Sequence, residues 1–294
     1  MLGSLNIKSS AHILVREVEK LVSLPEVCFL INDLVNDPCC NVDEIGHVIS
    51  QDPDLTVRLL KLVNSSIYGF PTKIDTVSRA ILVVGLKELQ HVVWASSAVE
   101  TFSKLPPAQV NMAGFWRHSI FSAVVARILA KERNVLHPER LFVAGLLHDI
   151  GRLLIYTEKP DEAKRILDFE EQNPGVDIVG LECEILGFDH AELAAALMLK
   201  WDLPPGLCES VRYHHEPARA ENHLLDASIV HVANIIAHAL ESGEEENVLK
   251  QRISPAAWEL LEIPEDKIKR ILHDAVMQFL ETLELLLPGA SQKM

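Results

Sequence analysis

Apolar residues recur at spacings of three and four along nearly the whole chain, and strict alternation of apolar and polar residues is absent over useful lengths. The first pattern is typical of amphipathic helices, whereas alternation is typical of half-buried strands. The sequence therefore predicts an all-α fold.

Capping and turn residues place the first helices. Asn41, with a carboxylate three residues later, predicts the start of a helix that ends at Asp52-Pro53. Asp54 is then expected to cap the next helix. The segment 65–71 is rich in turn residues and predicts a loop, and Gly85 is expected to permit close packing beyond it.

The later helices set the domain organisation. They are predicted, with Pro, Gly or Asp at most joints, at about 76–84, 108–132, 138–156, 160–173, 176–186, 189–201, 204–215, 224–242, 254–261 and 264–287. Lys104-Leu105-Pro106-Pro107 breaks the pattern. We therefore expect an N-terminal helical part at 1–105, a histidine-bearing core at 106–242 and a C-terminal helical appendage at 243–294. Because this linker is too short to hold the two parts far from each other, the N-terminal part is expected to pack on the core.

Composition and charge narrow the range of partners. The chain has 294 residues, 48% of them hydrophobic, which is ample for a buried core. Acidic residues outnumber basic ones 42 to 27, and the net charge of −15 repels phosphate backbones and anionic membrane surfaces at long range. Neither nucleic acid nor a membrane is therefore an expected partner.

The cysteines and the N-terminus indicate the compartment. The five cysteines form no CxxC pair, and their odd number argues against the disulfide framework of a secreted protein. The first residues lack the apolar core of a signal peptide, and no apolar run approaches the length that spans a membrane. We expect a soluble protein in the reducing cytoplasm.

Histidine and aspartate residues are spread over the helices of the central part, and they are the candidate metal ligands His118, His148, Asp149, His190, His214 and His215. Imidazole and carboxylate groups suit borderline divalent metals, and several helices can direct such groups into one pocket. The apolar run 141–147 is expected to place His148 and Asp149 at the inner end of a buried helix, where an unpartnered carboxylate is costly. The pattern predicts a metal site.

Each candidate also has an ordinary interpretation. His148 and Asp149 can satisfy each other as a buried polar pair, and a lone His118 can be a core histidine. His190 can simply follow a helix cap, because an aspartate precedes it, and the pair at 214–215 is favourable near a helix C-terminus. The remaining histidines match no motif and are expected to be ordinary: His12, His47, His91, His137, His223, His238 and His273.

Taken together, the candidates resemble in order and character the ligand series of the HD metal-dependent phosphohydrolase superfamily, and the extra histidines resemble the two-metal arrangement of its HD-GYP branch. The flanking motifs resemble the HDOD signalling domain family: Ser23-Leu24-Pro25, Val48 to Leu55, Leu62 to Gly69, Ala80 to Leu86, Leu146 to Gly151, Gly187 to His190, Trp201 to Pro204 and His214-His215. This resemblance spans roughly residues 15–240. It implies a bacterial regulatory domain with an HD-like helical bundle core and an N-terminal helical bundle packed against it.

The sequence departs from the catalytic relatives at the site. Asn234 stands where they carry an aspartate ligand, and a neutral amide oxygen is a poorer ligand for a divalent metal. Asn234 is therefore a candidate but weakened member of the metal site, and Asp226 is a candidate substitute. After Glu216 the chain lacks the Gly-Tyr-Pro segment that forms the substrate loop of the HD-GYP branch, and Arg152 stands where catalytic members often place a lysine.

These departures favour a non-catalytic signalling module that acts through a protein partner and retains a metal chiefly to hold its helices together. The alternative is a metal-dependent phosphohydrolase or cyclic-dinucleotide phosphodiesterase with a nucleotide or phosphate ligand, in which paired cations activate water. A third hypothesis is a sensor of iron, oxygen or redox state through the same site. The expected cofactor is one or two divalent ions of iron, manganese or zinc, and ligand spacing does not choose among them.

Overall fold

The computed structural model describes residues 10–18, 23–105, 110–173, 175–243 and 252–287, and within them it contains helices and no strands. The helices are α1 (Ser10–Glu17), α2 (Glu26–Asn36), α3 (Val42–Ser50), α4 (Pro53–Val63), α5 (Val77–Val84), α6 (Leu86–Ser103), α7 (Met112–Glu132), α8 (Glu139–Leu147), α9 (Ile150–Glu158), α10 (Pro160–Gln172), α11 (Ile178–Leu186), α12 (His190–Lys200), α13 (Pro205–Arg212), α14 (Leu224–Ser242), α15 (Pro255–Leu261) and α16 (Glu265–Leu286). The all-α prediction is confirmed.

Side-chain caps begin several of the N-terminal helices. Asn41 Oδ1 accepts a hydrogen bond from the Glu44 amide at 2.9 Å, so the predicted start of α3 is confirmed. The expectation that Asp54 caps α4 was wrong: Asp52 Oδ1 accepts from the Leu55 amide at 3.0 Å and the proline at 53 occupies the first helical position. A proline is well placed there because its missing N–H would be unpaired anyway.

The helix expected at 138–156 is two helices. α8 ends just before His148 and α9 begins just after Asp149. Asp149 has φ −101° and ψ 6°, in the sparsely populated bridge region where functional residues are often found. The apolar pattern runs through the break without interruption, and it therefore gave no sign of this turn. The turn points both side chains to the same interior space.

Helix α7 is the centre of the molecule. All its residues from 118 to 130 are buried, and it packs against α8, α14 and α16. A methyl group added at Gly145 of α8 would lie 2.8 Å from the Ala123 Cα, so the two backbones approach as closely as glycine allows. This close crossing sets the distance between the histidine of α7 and those that follow α8.

The N-terminal helices share the hydrophobic core of the rest of the chain. Helix α6 packs on α8, α1 on α12 and α4 on α16, and Asn32 of α2 donates to Asp202 Oδ2 at 2.9 Å. The expected N-terminal bundle packed against the core is confirmed. At the other end, Phe279 of α16 meets Phe121 of α7 edge to face at 5.3 Å. The boundaries of the parts at 105/106 and 242/243 stay predictions.

One described helix, α14, has the length and mean hydropathy of a membrane span, although the sequence pattern suggested no such run. Of its most apolar window, 72% is buried inside the fold, where the helix packs against α7, α8, α13 and α15. Its apolar character is accounted for by burial in the core.

Helices α9 and α12 cross at a second close contact. A methyl group added at Gly151 of α9 would overlap the carbonyl oxygen of His190 and lie 3.0 Å from the Ala194 amide nitrogen. Both atoms belong to the backbone of the first turn of α12 and its cap, so they have little freedom to move. The glycine therefore fixes α12 against the turn at Asp149.

We expect Gly151→Ala to lower the free energy of unfolding by at least about 2 kcal/mol, because a methyl group forced against backbone must displace a helix. Chemical denaturation measures the change. Gly180→Ala in exposed α11 is the matched control, since the added methyl meets only the end of the Asp177 side chain. Equal stability of both variants would contradict the close crossing.

We also expect cleavage by a protease near residues 104–107 to leave the two fragments associated, because both contribute to one core. Size-exclusion chromatography of the nicked protein under native conditions, followed by a denaturing gel, tests this. Separate elution of a folded N-terminal fragment would contradict it.

Candidate metal centre

The structure gathers all the sequence-predicted site residues in one place. Helix α7 contributes His118, the turn between α8 and α9 contributes His148 and Asp149, and the first turn of α12 contributes His190. The remaining members come from the segment after α13 and from the middle of α14, and they are His214, His215 and Asn234. Each member of the group lies close to at least one other member, as the distances given below show.

Asp149 lies at the middle of the imidazoles. Its Oδ1 atom is 3.1 Å from His190 Nε2, 3.6 Å from His148 Nε2 and 3.9 Å from His214 Nε2. The aspartate is 4% exposed and these three histidines are fully buried. Arg152, one turn along α9, has its Nε atom 3.6 Å from the other carboxylate oxygen.

Backbone carbonyls orient two of the rings. His148 Nδ1 donates to the Gly145 carbonyl at 2.8 Å, and His214 Nδ1 donates to the Val211 carbonyl at 2.7 Å. In a neutral imidazole one nitrogen donates and the other accepts, so both Nε2 atoms carry a lone pair. This is the arrangement in which metal-binding histidines are held by their second nitrogen.

His190 is held by a carboxylate instead. Glu182 of α11 accepts from His190 Nδ1 at 2.6 Å and from its backbone amide at 2.8 Å. On its other side, His190 Nε2 is 2.8 Å from His215 Nε2. Glu182, which is 3% exposed, therefore fixes the ring so that Nε2 faces the cluster.

The buried charges shift one another. Burial acts to raise the pKa of the Asp149 carboxyl, but His148, Arg152 and His190 outweigh it and hold that pKa well below its usual range. Burial lowers the pKa of His148 to about 4, only partly opposed by Asp149. Burial likewise acts to lower the pKa of His190, but the Glu182 and Asp149 carboxylates together outweigh it and raise that pKa to about 9. Burial and the neighbouring charges thus keep the carboxyl group of Asp149 ionised and shift the pKa values of the two histidines in opposite directions.

Three buried atoms at the centre have no hydrogen-bond partner among the described residues: His148 Nε2, Asp149 Oδ1 and His214 Nε2. Buried polar atoms without partners are rare and costly, and one explanation for such atoms is a bound ion. Two ligands on one tetrahedral zinc-like ion lie roughly 3.3–3.6 Å apart, which falls within the 3.1–3.9 Å separations around Asp149. The donor set therefore fits a divalent metal.

Two overlapping groups can each hold an ion, because within each group one ligand atom per residue lies within 4.8 Å of the others. One group is Asp149, His190, His214 and His215, and the other is His118, His148 and Asp149. Asp149 belongs to both, and a carboxylate with two oxygens can bridge two ions. The expectation of one or two ions is compatible with this arrangement.

Asp226 does not replace the carboxylate that the sequence lacks at position 234. Asn234 Oδ1 lies 3.0 Å from His118 Nε2, and the amide therefore contacts a candidate ligand. Asp226, considered as a substitute, is bound instead by Arg140, with Nη2 and Oδ1 2.9 Å apart. That suggestion was wrong, since Asp226 lies in the first turn of α14 and is paired there with Arg140 of α8.

Sequence reasoning missed several site residues. His238, expected to be ordinary, has its ring centroid 4.3 Å from that of His118, and Glu241 Oε2 lies 3.1 Å from His118 Nδ1. The spacing of Asn234, His238 and Glu241 on one helix face could have revealed them. Glu182 had no comparable signal, because the chain turn at 187–189 brings it to His190.

Known proteins resemble this chain in sequence and structure. The HDOD domain family model matches residues 21–217. A candidate phosphohydrolase from Shewanella amazonensis is 27% identical with a TM-score of 0.71, covering 94% of this chain and 99% of its own. An HDOD domain protein of unknown function from Geobacter sulfurreducens is 23% identical with a TM-score of 0.72, covering 94% and 98%.

A protein of unknown role from Treponema pallidum is 26% identical over 228 residues, which are 76% of this chain. The match spans only 43% of the length of that relative. With the family match covering more than half of the chain, and with the helical fold and histidine cluster in place, the chain belongs to the HDOD domain family.

Proposed function

We propose that this chain is a bacterial cytoplasmic regulatory module that signals through a protein partner, and that its metal centre stabilises the fold and does not catalyse hydrolysis. The observation that carries the proposal is the burial of the centre. His148, His190 and His214 are 0% exposed, and Asp149 and Asn234 are 4% and 5% exposed. His215 is the partly exposed member of this ligand set, and the burial of the others leaves little room for a phosphodiester beside ions held there.

The metal has a structural task in this proposal. His118, His148, Asp149, His190, His214 and His215 would hold one or two divalent ions of iron, manganese or zinc. These residues come from α7, α12, the α8–α9 turn and the segment after α13. An ion bound there would be the partner that three buried nitrogen and oxygen atoms lack. It would also join helices that are far apart in sequence.

Two features support a metal site that does not catalyse hydrolysis. Asn234 provides a neutral amide where catalytic relatives are expected to carry an anionic ligand, and it contacts His118 at 3.0 Å. The chain after Glu216 is a short 3₁₀ turn, Pro217–Arg219, in place of a Gly-Tyr-Pro substrate loop. Weaker ligation and the lost means of positioning a substrate both raise the barrier to hydrolysis.

A protein partner suits the surface better than nucleic acid or membrane does. The net charge of −15 disfavours polyanionic ligands at long range. The N-terminal bundle packs directly on the helices that carry the metal ligands, through α6 on α8 and α1 on α12. A change in metal occupancy would therefore alter the position of the N-terminal helices and the surface that they expose to a partner.

The second candidate function is a metal-dependent phosphohydrolase, which the Shewanella amazonensis protein at 27% identity favours. Arg152 also supports a phosphohydrolase. Its guanidinium group lies beside Asp149, and its Nε atom has no hydrogen-bond partner among the described residues. An arginine in that position could bind a phosphate oxygen. Bound metal would supply a polarised water for such a reaction.

We expect Asp149→Ala to abolish metal retention by these two groups of ligands, because it removes the one anionic ligand that they share. Elemental analysis of protein purified without added metal measures this. We also expect its melting temperature to fall by roughly 5–10 °C, since ligand binding at 100 times Kd contributes about 2.7 kcal/mol.

Asp168→Ala, at an exposed position of α10, is the matched control and should keep both metal and stability. Treating the wild type with a chelator should reproduce the melting shift of Asp149→Ala. Metal content that is unchanged in Asp149→Ala would contradict the proposed centre.

We expect the metal-loaded wild type to be inert or very slow on cyclic diguanylate and on a simple aryl phosphodiester. Asn234→Asp should bind metal more tightly without gaining full activity, because the substrate loop is still missing. Turnover by the metal-loaded proteins, with His148→Ala as the control, measures this. Robust metal-dependent turnover by the wild type, lost in His148→Ala, would favour the phosphohydrolase.

A further inference from the structure

A second group of ligand-type side chains lies on the outer side of His118. It consists of His118, His238 and Glu241, and we call it the outer cluster. One ligand atom from each lies within 4.8 Å of the others. His238 is partly buried and the Glu241 side chain is 39% exposed, so the cluster opens to solvent at the end of α14. We call Asp149, the histidines around it and His118 the inner cluster. His118 belongs to both clusters, whereas Asp149 and the other inner histidines do not belong to the outer cluster.

The ring of His118 links the two clusters. Its Nε2 faces Asn234 Oδ1 at 3.0 Å, and its Nδ1 faces Glu241 Oε2 at 3.1 Å. An amide oxygen only accepts hydrogen bonds, so Nε2 carries the ring hydrogen in this orientation. His118 Nδ1 and Glu241 Oε2 then face each other at 3.1 Å, a distance at which a single cation, a metal ion or a proton, binds both atoms.

His238, the third member of the outer cluster, can supply another ligand atom. Among the described residues no hydrogen bond is formed by a ring nitrogen of His238, although the ring lies 4.3 Å from His118. The position of His238 one helical turn before Glu241 brings both side chains to the same face of α14.

The separation of the donor atoms fits a metal ion. Zn²⁺ binds nitrogen and oxygen ligands at about 2.0–2.2 Å, so atoms 3.1 Å apart subtend an angle of about 95° at the ion. Two histidines and one carboxylate are a ligand set typical of zinc sites with an open position. Solvent exposure of Glu241 leaves room for water in that position.

We propose that the outer cluster is a second site for one divalent transition-metal ion of the zinc class, distinct from the inner cluster. His118 binds this ion through Nδ1 while Nε2 stays bonded to Asn234 Oδ1, so an ion in the inner cluster is then held by Asp149, His190, His214 and His215. The ion is accessible from solvent, whereas the inner centre is buried, so the outer site exchanges metal more readily. The proposal does not depend on whether the inner cluster holds metal.

The test uses the full chain, stripped by a chelator and equilibrated with buffered Zn²⁺, with bound metal measured by elemental analysis. His238→Ala and Glu241→Gln should each bind one Zn²⁺ fewer than the wild type, or bind it at least about 10-fold more weakly. Titration with Co²⁺ should show the same loss in the visible absorption of the bound ion. Asp149→Asn should keep the outer ion.

Matched controls are His273→Ala and Glu171→Gln, which change exposed residues outside both clusters and should bind Zn²⁺ like the wild type. Thermal melting checks the fold, and Glu241→Gln keeps the shape of an exposed side chain. Zn²⁺ stoichiometry and affinity in both outer variants within twofold of the wild type would overturn the outer site. Loss of zinc in the outer variants alone, with no change in Asp149→Asn, would keep this proposal and overturn the inner centre instead.

Discussion

A carboxylate buried among imidazoles is the constraint on which the rest of the site depends. Asp149 is 4% exposed and has three imidazole nitrogens within 4 Å. An isolated buried charge is very costly, so it must be compensated. Arg152 and the His190–Glu182 pair supply part of that compensation, and a divalent ion would supply the rest. Every helix that brings a ligand is therefore tied to the position of this one residue.

Close helix crossings make that position possible. Glycine at 145 lets α8 approach α7, and glycine at 151 lets α9 approach the start of α12. Between them lies the turn at His148 and Asp149, in which the backbone of Asp149 is outside the helical region. Close-packed protein interiors tolerate little displacement of the helices within them. The geometry of the ligands is thus set by backbone contacts as much as by the ligands themselves.

The burial of the inner cluster connects structure to the proposed role. A site that excludes water and substrate is well suited to stabilise a fold, and the N-terminal bundle packs on the helices that supply its ligands. His118 faces inward through one ring nitrogen and toward solvent through the other. It is therefore the natural link between a buried centre and a surface that metal ions and partners can reach.

The sequence by itself determined the helical class, most helix positions and the candidate ligands of the inner cluster, because periodicity, caps and ligand chemistry are local properties. Only the tertiary structure decided the break at His148, the ring tautomers, the role of Glu182 and the pairing of His238 with His118. These depend on which backbone carbonyls and carboxylates meet a ring across helices, and residues far apart in sequence carry no periodic signal of such contacts.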